Sequence, residues 1–110
     1  MNIHEAASAV DAEIVQGSFQ ESELTGGYTS DLLSDVMGHA QAGQILITIQ
    51  AHRNTVAVAG LIGAPAVVIC NGRPVPEDMI DAARDEGIAI LRTDFNQYEV
   101  SGRLYRALGH

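Results

Sequence analysis

Residues 24–38, with the sequence LTGGYTSDLLSDVMG, combine residue types that can hold a ligand. Gly26 and Gly27 have no side chains, so the backbone there can turn sharply or approach a ligand closely. The hydroxyl groups and the two aspartates that follow, Asp31 and Asp35, offer hydrogen-bond partners. The segment could therefore bind a ligand, take part in chemistry, or only turn the chain into a helix.

The two aspartates are spaced to share one helix face. Two unpaired carboxylates at this spacing repel each other by roughly 0.2–0.5 kcal/mol. The pair would be satisfied by hydroxyl groups, amides, an arginine of a partner subunit or Mg²⁺, and it would oppose a bare phosphate group. This favours an uncharged ligand or a subunit contact at this segment.

The motifs of common catalytic sites are missing from these 110 residues. All six basic residues are arginine, which excludes a Schiff-base lysine and the lysine of a phosphate-binding GxxxxGK[ST] loop. The spacing of histidine, cysteine, serine and aspartate indicates neither a catalytic triad nor a zinc site. We expect a protein that is not an enzyme and that has no catalytic residue, cofactor or metal.

Length and composition predict a single globular domain over residues 1–110. The formal net charge of −8 disfavours binding to nucleic acid or to an anionic membrane, because phosphate recognition needs clustered cations. Cys70 is the only cysteine, so it excludes an internal disulfide, fits a reducing cytoplasm and is expected to be a buried small hydrophobe. Neither a signal peptide nor a transmembrane helix is predicted.

Three short apolar runs predict strands buried on both faces, at residues 45–49, 66–70 and 88–92. Helices are predicted between and after them, at residues 54–63, 74–87 and from 93 or 94 to about 108. Parallel pairing is expected because the crossovers are long. A helix at residues 3–10, a strand starting at 13–15 and a loop at 16–23 precede these units. The fold class is α/β, a small mainly parallel sheet flanked by helices.

Several polar residues are candidates for helix caps and turns. The glycine pair is read as a turn that permits positive φ, followed by a helix to about Met37 with Ser30 or Asp31 as its cap. Asn54 is read as the cap of its helix. Thr93 or Asp94 is expected to cap the last helix, with Asp94 and Gln97 spaced as a capping box.

Polar side chains also follow each of the three apolar strands, where ligands bind in open parallel sheets. They include Asn71 and Arg73, with Gly72 between them, after the second strand and Asp94 after the third. His52 could instead bond only to backbone, and His4, His39 and His110 are expected to be surface residues. The predicted ligand-binding or interface residues are Gly26, Gly27, Tyr28, Ser30, Asp31, Asp35, Thr48, Gln50, His52, Asn54, Thr93 and Asn96.

The segment from GGYTSDLLSD through Thr48–Asn54 to the following VAVA resembles a stand-alone DRTGG domain over about residues 24–108. That family is related to the N-terminal domain of HPr kinase/phosphorylase, which is similar in fold to the N-terminal domain of MurF. Glu23 and Leu24 stand where the family has Asp-Arg, while Thr25-Gly26-Gly27 remains. The resemblance implies a bacterial or archaeal regulatory or accessory module of the dimerising type.

Three hypotheses follow for the function. The first is a ligand-sensing homodimer in which Gly27 admits a nucleotide-like base or sugar, Tyr28 stacks on it, and Asp31 and Asn54 bind its polar groups. The second is a structural dimerisation or adaptor domain with a protein partner. The third, an enzyme of HPr-type serine phosphorylation control, is disfavoured by the missing lysine and the missing phosphate-binding loop.

Overall fold

The apolar runs predicted as strands form the middle of a five-stranded sheet in the computed structural model, which describes residues 1–110. The strands are β1 (Glu13–Gln16), β2 (Gly26–Thr29), β3 (Gln44–Thr48), β4 (Ala66–Ile69) and β5 (Ala89–Arg92). Their order across the sheet is β1-β5-β4-β3-β2. Strands β2 to β5 are parallel, and β1 pairs antiparallel with β5.

Five helices cover the two faces of this sheet: α1 (Ile3–Ala9), α2 (Leu33–His39), α3 (Arg53–Ile62), α4 (Glu77–Glu86) and α5 (Gln97–Ala107). Strands β2 to β5 are neighbours in chain order, so right-handed crossovers place α2, α3 and α4 on one face. Helices α1 and α5 cover the other face. None of the five helices combines the length and the apolar composition that crossing a membrane requires.

Alternation along the strands divides the core into two clusters. Ile45 and Ile47 pack with residues of α1 and α5, whereas Leu46, between them, packs with residues of α2, α3 and α4. Cys70 is fully buried, as expected, and burial followed by the nearby charge of Asp31 raises the pKa of its thiol to about 11. The α/β class and the mainly parallel sheet are therefore confirmed.

The predicted glycine turn is wrong. Gly26 and Gly27 lie in β2, in register with Gln44 and Ile45 of β3, and neither has a positive φ. The left-handed glycines are elsewhere in the chain, as at Gly43, where φ is +88°. Pairing with β3 extends the chain at a position where sequence composition alone favours a turn.

Two predicted caps next to this strand are also wrong. Helix α2 begins at Leu33, after an N-cap Leu32 whose side chain makes no capping bond. The Ser30 hydroxyl instead accepts a hydrogen bond from the Leu32 amide at 3.1 Å. Asp31 turns away from the helix and towards β3, so neither residue caps α2.

The caps of α3 and α5 differ from prediction by two or three positions. His52, and not Asn54, caps α3, because its Nδ1 accepts from the Asn54 amide at 3.1 Å. Asn96 caps α5 by accepting from the Glu99 amide at 2.9 Å. Gln97 is the first residue of α5, so the predicted Asp94–Gln97 capping box does not exist.

Candidate functional site

Asp31 ties together three elements at the carboxyl edge of the sheet. Its Oδ1 accepts hydrogen bonds from the Thr48 hydroxyl, the Ile49 amide and the Gln97 side-chain amide, each at 2.9 Å. The Gln50 side-chain amide donates to the Asp31 backbone oxygen at 3.1 Å. The ends of β2 and β3 and the first turn of α5 are thus joined at one carboxylate, and that oxygen is fully occupied by the protein itself.

Tyr28 and Asp35 form a second polar contact beside β2. The Tyr28 hydroxyl donates to Asp35 Oδ2 at 2.8 Å, and His39 Nδ1 lies 3.1 Å from Asp35 Oδ1. The hydrogen bond from Tyr28, followed by the Ser30 hydroxyl, lowers the pKa of Asp35. The same bond, followed by partial burial, raises the pKa of Tyr28. The contact fastens α2 to the sheet and uses the hydroxyl of Tyr28.

The remaining predicted residues do not converge on these contacts. Asn54 faces a shallow depression of about 320 Å³ between α3 and α4, which Arg53 and Glu86 also line. Thr93 is buried, and its hydroxyl donates to the Val10 carbonyl at 2.8 Å. With His52 and Asn96 acting as helix caps, the structure brings together only part of the predicted set: Tyr28 with Asp35, and Asp31 with Thr48 and Gln50.

A groove of about 330 Å³ runs between β2 and α5. Gly26 and Gly27 form its floor, and Tyr105 and His110 meet edge to face on one side, with their ring centres 5.2 Å apart. None of its lining residues is Asp, Glu or Arg. The full lining is Thr25, Gly26, Gly27, Thr29, Gln44, Ile47, Ser101, Leu104, Tyr105, Leu108 and His110.

The glycine floor has a steric consequence. A Cβ added at Gly27 would lie 3.3 Å from Cδ1 of Ile47, whereas one at Gly26 would lie 3.7 Å from the His110 ring and make only ordinary contacts. A glycine inside a strand often marks a place where a ligand or another backbone approaches closely. The Thr29 and Ser101 hydroxyls, 2.7 Å apart, hold α5 against β2 at this groove.

Sequence reasoning missed the α5 side of this groove. Ser101, Tyr105 and His110 belong to the last helix and its end, far from the glycines along the chain, and only the packing of α5 on β2 brings them together. One sequence signal was present. Tyr98 and Tyr105 are seven residues apart on an amphipathic helix and both are exposed in the structure, and Tyr105 lines the groove.

Comparison with known proteins identifies the family. The family model described as "HPr Serine kinase N terminus" matches residues 46–108. The chain belongs to this family. HPr kinase/phosphorylase from Streptococcus uberis is 42% identical over 40 residues, which are 36% of this chain and 13% of that protein. The chain therefore spans a small part of the length of the curated relative that it matches.

A solved structure supports the same fold over most of the chain. It contains the CBS and DRTGG domains of the regulatory region of Clostridium perfringens pyrophosphatase, complexed with an activator, diadenosine tetraphosphate. The TM-score is 0.72 at 13% identity, covering 93% of this chain and 44% of that one. The resemblance to DRTGG domains is thereby confirmed at the level of fold. The extent of the domain over residues 1–110 stays a prediction.

Proposed function

We infer that this HPr kinase N-terminal-type chain is a non-catalytic regulatory module that binds the base and sugar of a nucleotide in the groove between β2 and α5. The observation that carries this proposal is the groove's lining. Glycine backbone forms its floor, aromatic rings line one side, and hydroxyl and amide groups lie around it without an Asp, Glu or Arg side chain. Its volume lies at the lower end of the range of about 300–1,000 Å³ typical of small-molecule sites.

The chemistry of the lining selects which part of a nucleotide would bind. Aromatic rings and aliphatic side chains suit the flat apolar surface of a base, while the Thr25 and Thr29 hydroxyls and the Gln44 amide suit its polar edge or the ribose. Phosphate groups need cations or clustered amide donors. They would point out of the groove, where no cationic lining holds them.

The position of the site differs from the one expected from sequence. The first hypothesis placed Asp31 and Asn54 on the ligand and Tyr28 against its ring. We propose that Gly26 and Gly27 contact the ligand, and that Asp31, Thr48, Gln50 and Gln97 keep β2 and α5 at a fixed spacing. The pyrophosphatase regulatory region that shares this fold was crystallised with a dinucleotide activator, which supports a nucleotide as the ligand class.

A thermal-shift screen of adenine and guanine nucleosides and nucleotides, followed by calorimetric titration of each hit, tests this function. A ligand at a hundredfold its dissociation constant should add about 2.7 kcal/mol to the free energy of unfolding. Adenosine should stabilise the chain and inorganic phosphate should not. If no nucleoside or nucleotide stabilises the chain at millimolar concentration, the proposed function is wrong.

A structural dimerisation or adaptor role is the second candidate, favoured by the uncovered outer edge of β2. It predicts a stable dimer whose stability is indifferent to small molecules. A third candidate, an enzyme of HPr-type serine phosphorylation control, would require the purified chain to transfer phosphate from ATP to HPr. Such activity would contradict both non-catalytic proposals.

A further inference from the structure

The two edge strands of the sheet, β1 and β2, differ in how well they are protected against pairing with another strand. At one edge, β1 carries Glu13, whose carboxylate pairs with Arg92 at 3.0 Å, and its register is interrupted by an irregularity between Ile14 and Gln16. Charges and bulges of this kind block the addition of another strand. The edge at β1 is therefore protected against pairing.

The edge at β2 has none of these protections. The strand reads GGYT, pairs with β3 in regular register, and is flanked by Thr25 and Ser30, so it contains no charge and no proline. The Ser30 amide donates to the Ile47 carbonyl of β3, so the amides of Gly27 and Thr29, which alternate with it, point to the free edge. Exposed strand amides of this kind are open to pairing with another strand.

Exposed apolar side chains lie on both helices beside this edge. Four of the five large hydrophobic side chains that are exposed belong to α5 or to α2 and its cap: Leu32 (64%), Met37 (53%), Tyr98 (88%) and Tyr105 (64%). The Thr29–Ser101 contact joins α5 to β2, and the Tyr28–Asp35 bond joins α2 to it. Apolar surface thus accompanies the open edge on both faces of the sheet.

The charge pattern of α5 is complementary to itself when two copies of the helix run antiparallel. Glu99 lies in its first turn, and Arg103 and Arg106 lie in its second half. Arg103 pairs with Glu99 inside the chain, whereas Arg106 has no acidic partner within 4.0 Å. A two-fold axis perpendicular to the sheet at β2 would make the two α5 helices antiparallel and bring the Arg106 end of each towards the Glu99 end of the other.

The most acidic helix lies away from this edge. Helix α4 packs against α3, β1 and β5, and it carries five acidic residues with a single arginine: Glu77, Asp78, Asp81, Asp85 and Glu86, with Arg84. A net charge of −8 on each copy would oppose self-association if it were spread evenly. Because α4 carries five of the fourteen acidic residues, part of this repulsion lies away from the β2 edge.

We propose that β2 pairs antiparallel with β2 of a second copy of this chain, which joins the two sheets into one. The glycines let the two backbones come close, and α5 and α2 of each copy cover the junction on opposite faces. The pairing goes beyond the nucleotide groove and stands without it, because it uses the outer edge of β2 and the groove uses the face towards α5.

Sedimentation equilibrium of the full chain and its variants tests the pairing. The wild type should be a dimer, and Thr29→Lys should raise its dissociation constant about tenfold or more, because a lysine on an edge strand disfavours pairing with another strand. Thr29→Val, which loses the Ser101 contact without adding charge, should stay dimeric. Arg106→Glu alone should weaken the dimer, and adding Glu99→Arg should restore it.

Spin labels provide a second readout that does not depend on affinity. Cys70 is fully buried, so a cysteine introduced at Tyr105 supplies the only accessible thiol. Labels there should give a short inter-subunit distance, and labels at Leu61 on α3 a longer one. A wild-type chain that stays monomeric at every concentration would overturn the proposal. The partner of the β2 edge would then be an extended segment of another protein. A dimer unaffected by Thr29→Lys and by the Arg106→Glu change would also overturn it.

Discussion

The β1 side and the β2 side of the sheet differ in charge, in the regularity of strand pairing and in the side chains that lie beside them. The β1 side is charged, bulged and tied by buried polar contacts, as at Gln16, whose side chain donates to the Ile88 carbonyl at 2.9 Å. Strand β2 is itself uncharged and glycine-rich, and exposed tyrosines lie beside it. The difference indicates that the outer edge of β1 is closed to other strands, whereas the outer edge and the groove of β2 are open to other molecules. Substitutions at the buried polar contacts and substitutions at the groove floor should therefore separate stability from binding.

Asp31→Ala should have the largest effect. It removes the acceptor of three hydrogen bonds, from Thr48, Ile49 and Gln97, and leaves those donors unpaired at the end of β2. We expect a loss of about 2–3 kcal/mol in the free energy of unfolding, measured by urea denaturation. Asp31→Asn retains one acceptor oxygen and should lose less. A loss for Asp31→Ala no larger than that for Asp35→Ala would refute the assignment of Asp31 as the main tie.

Gln16→Leu tests the opposite side. The Gln16 amide bonds the Ser18 and Ile88 carbonyls and accepts from the Ser18 amide, and the residue is 3% exposed. Leucine would leave these groups unpaired, so unfolding should become easier by about 1–2 kcal/mol. Nucleoside affinity and the dimer dissociation constant should not change. A parallel loss of binding would mean that the two sides are not separable.

Gly26→Ala should weaken nucleoside binding without lowering stability. The added methyl group makes only ordinary contacts, and reduced freedom of the unfolded chain should leave stability unchanged or raise it by about 0.4–1 kcal/mol. The methyl group would occupy the groove floor and weaken nucleoside binding in calorimetry. Gly102→Ala, on the outer surface of α5 with nothing within 4 Å, is the matched control and should bind normally. Equal affinities for both variants would exclude the groove as the site.

Tyr28→Phe should have the smallest effect, visible mainly as a change in pH dependence. Because the pKa of Asp35 is lowered in the folded state, its contribution is present above its ordinary value of 3.8 and is lost as pH falls through the lowered value. Removing the Tyr28 hydroxyl should raise the pKa of Asp35 and flatten the acid limb of the stability curve. Carboxyl carbon shifts followed by NMR measure this, and an unchanged Asp35 titration would show that the bond is not formed in solution.

The central fold was predictable because its strands are buried on both faces. The runs at residues 45–49, 66–70 and 88–92 contain almost no polar residue, and such runs have few alternatives to a central strand. Strand β2 was not predictable in this way. Its glycines have low strand propensity, and its extended form depends on pairing with β3. Local composition therefore favoured a turn there.

The caps and the groove show two further reasons for failure. Before α5, Thr93, Asp94 and Asn96 are all residue types that can cap a helix. The Thr93 hydroxyl instead donates to the Val10 carbonyl, and Asn96 is the residue that caps α5. The groove joins Gly26 to Tyr105 and His110 across most of the chain. The spacing of residues along the chain does not indicate such a contact, so the α5 side of the groove could not be predicted from the sequence.

Amide chemical-shift mapping during titration with adenosine tests most directly the claim that the β2 side is the contact side. We expect shifts at Gly26, Gly27, Ser101 and Tyr105, with little change in β1 and α4. We also expect Gly26→Ala to remove those shifts and Gly102→Ala to keep them. Shifts centred instead on His52 and Asn54, or on the β1 edge, would show that ligands do not bind at the β2 side.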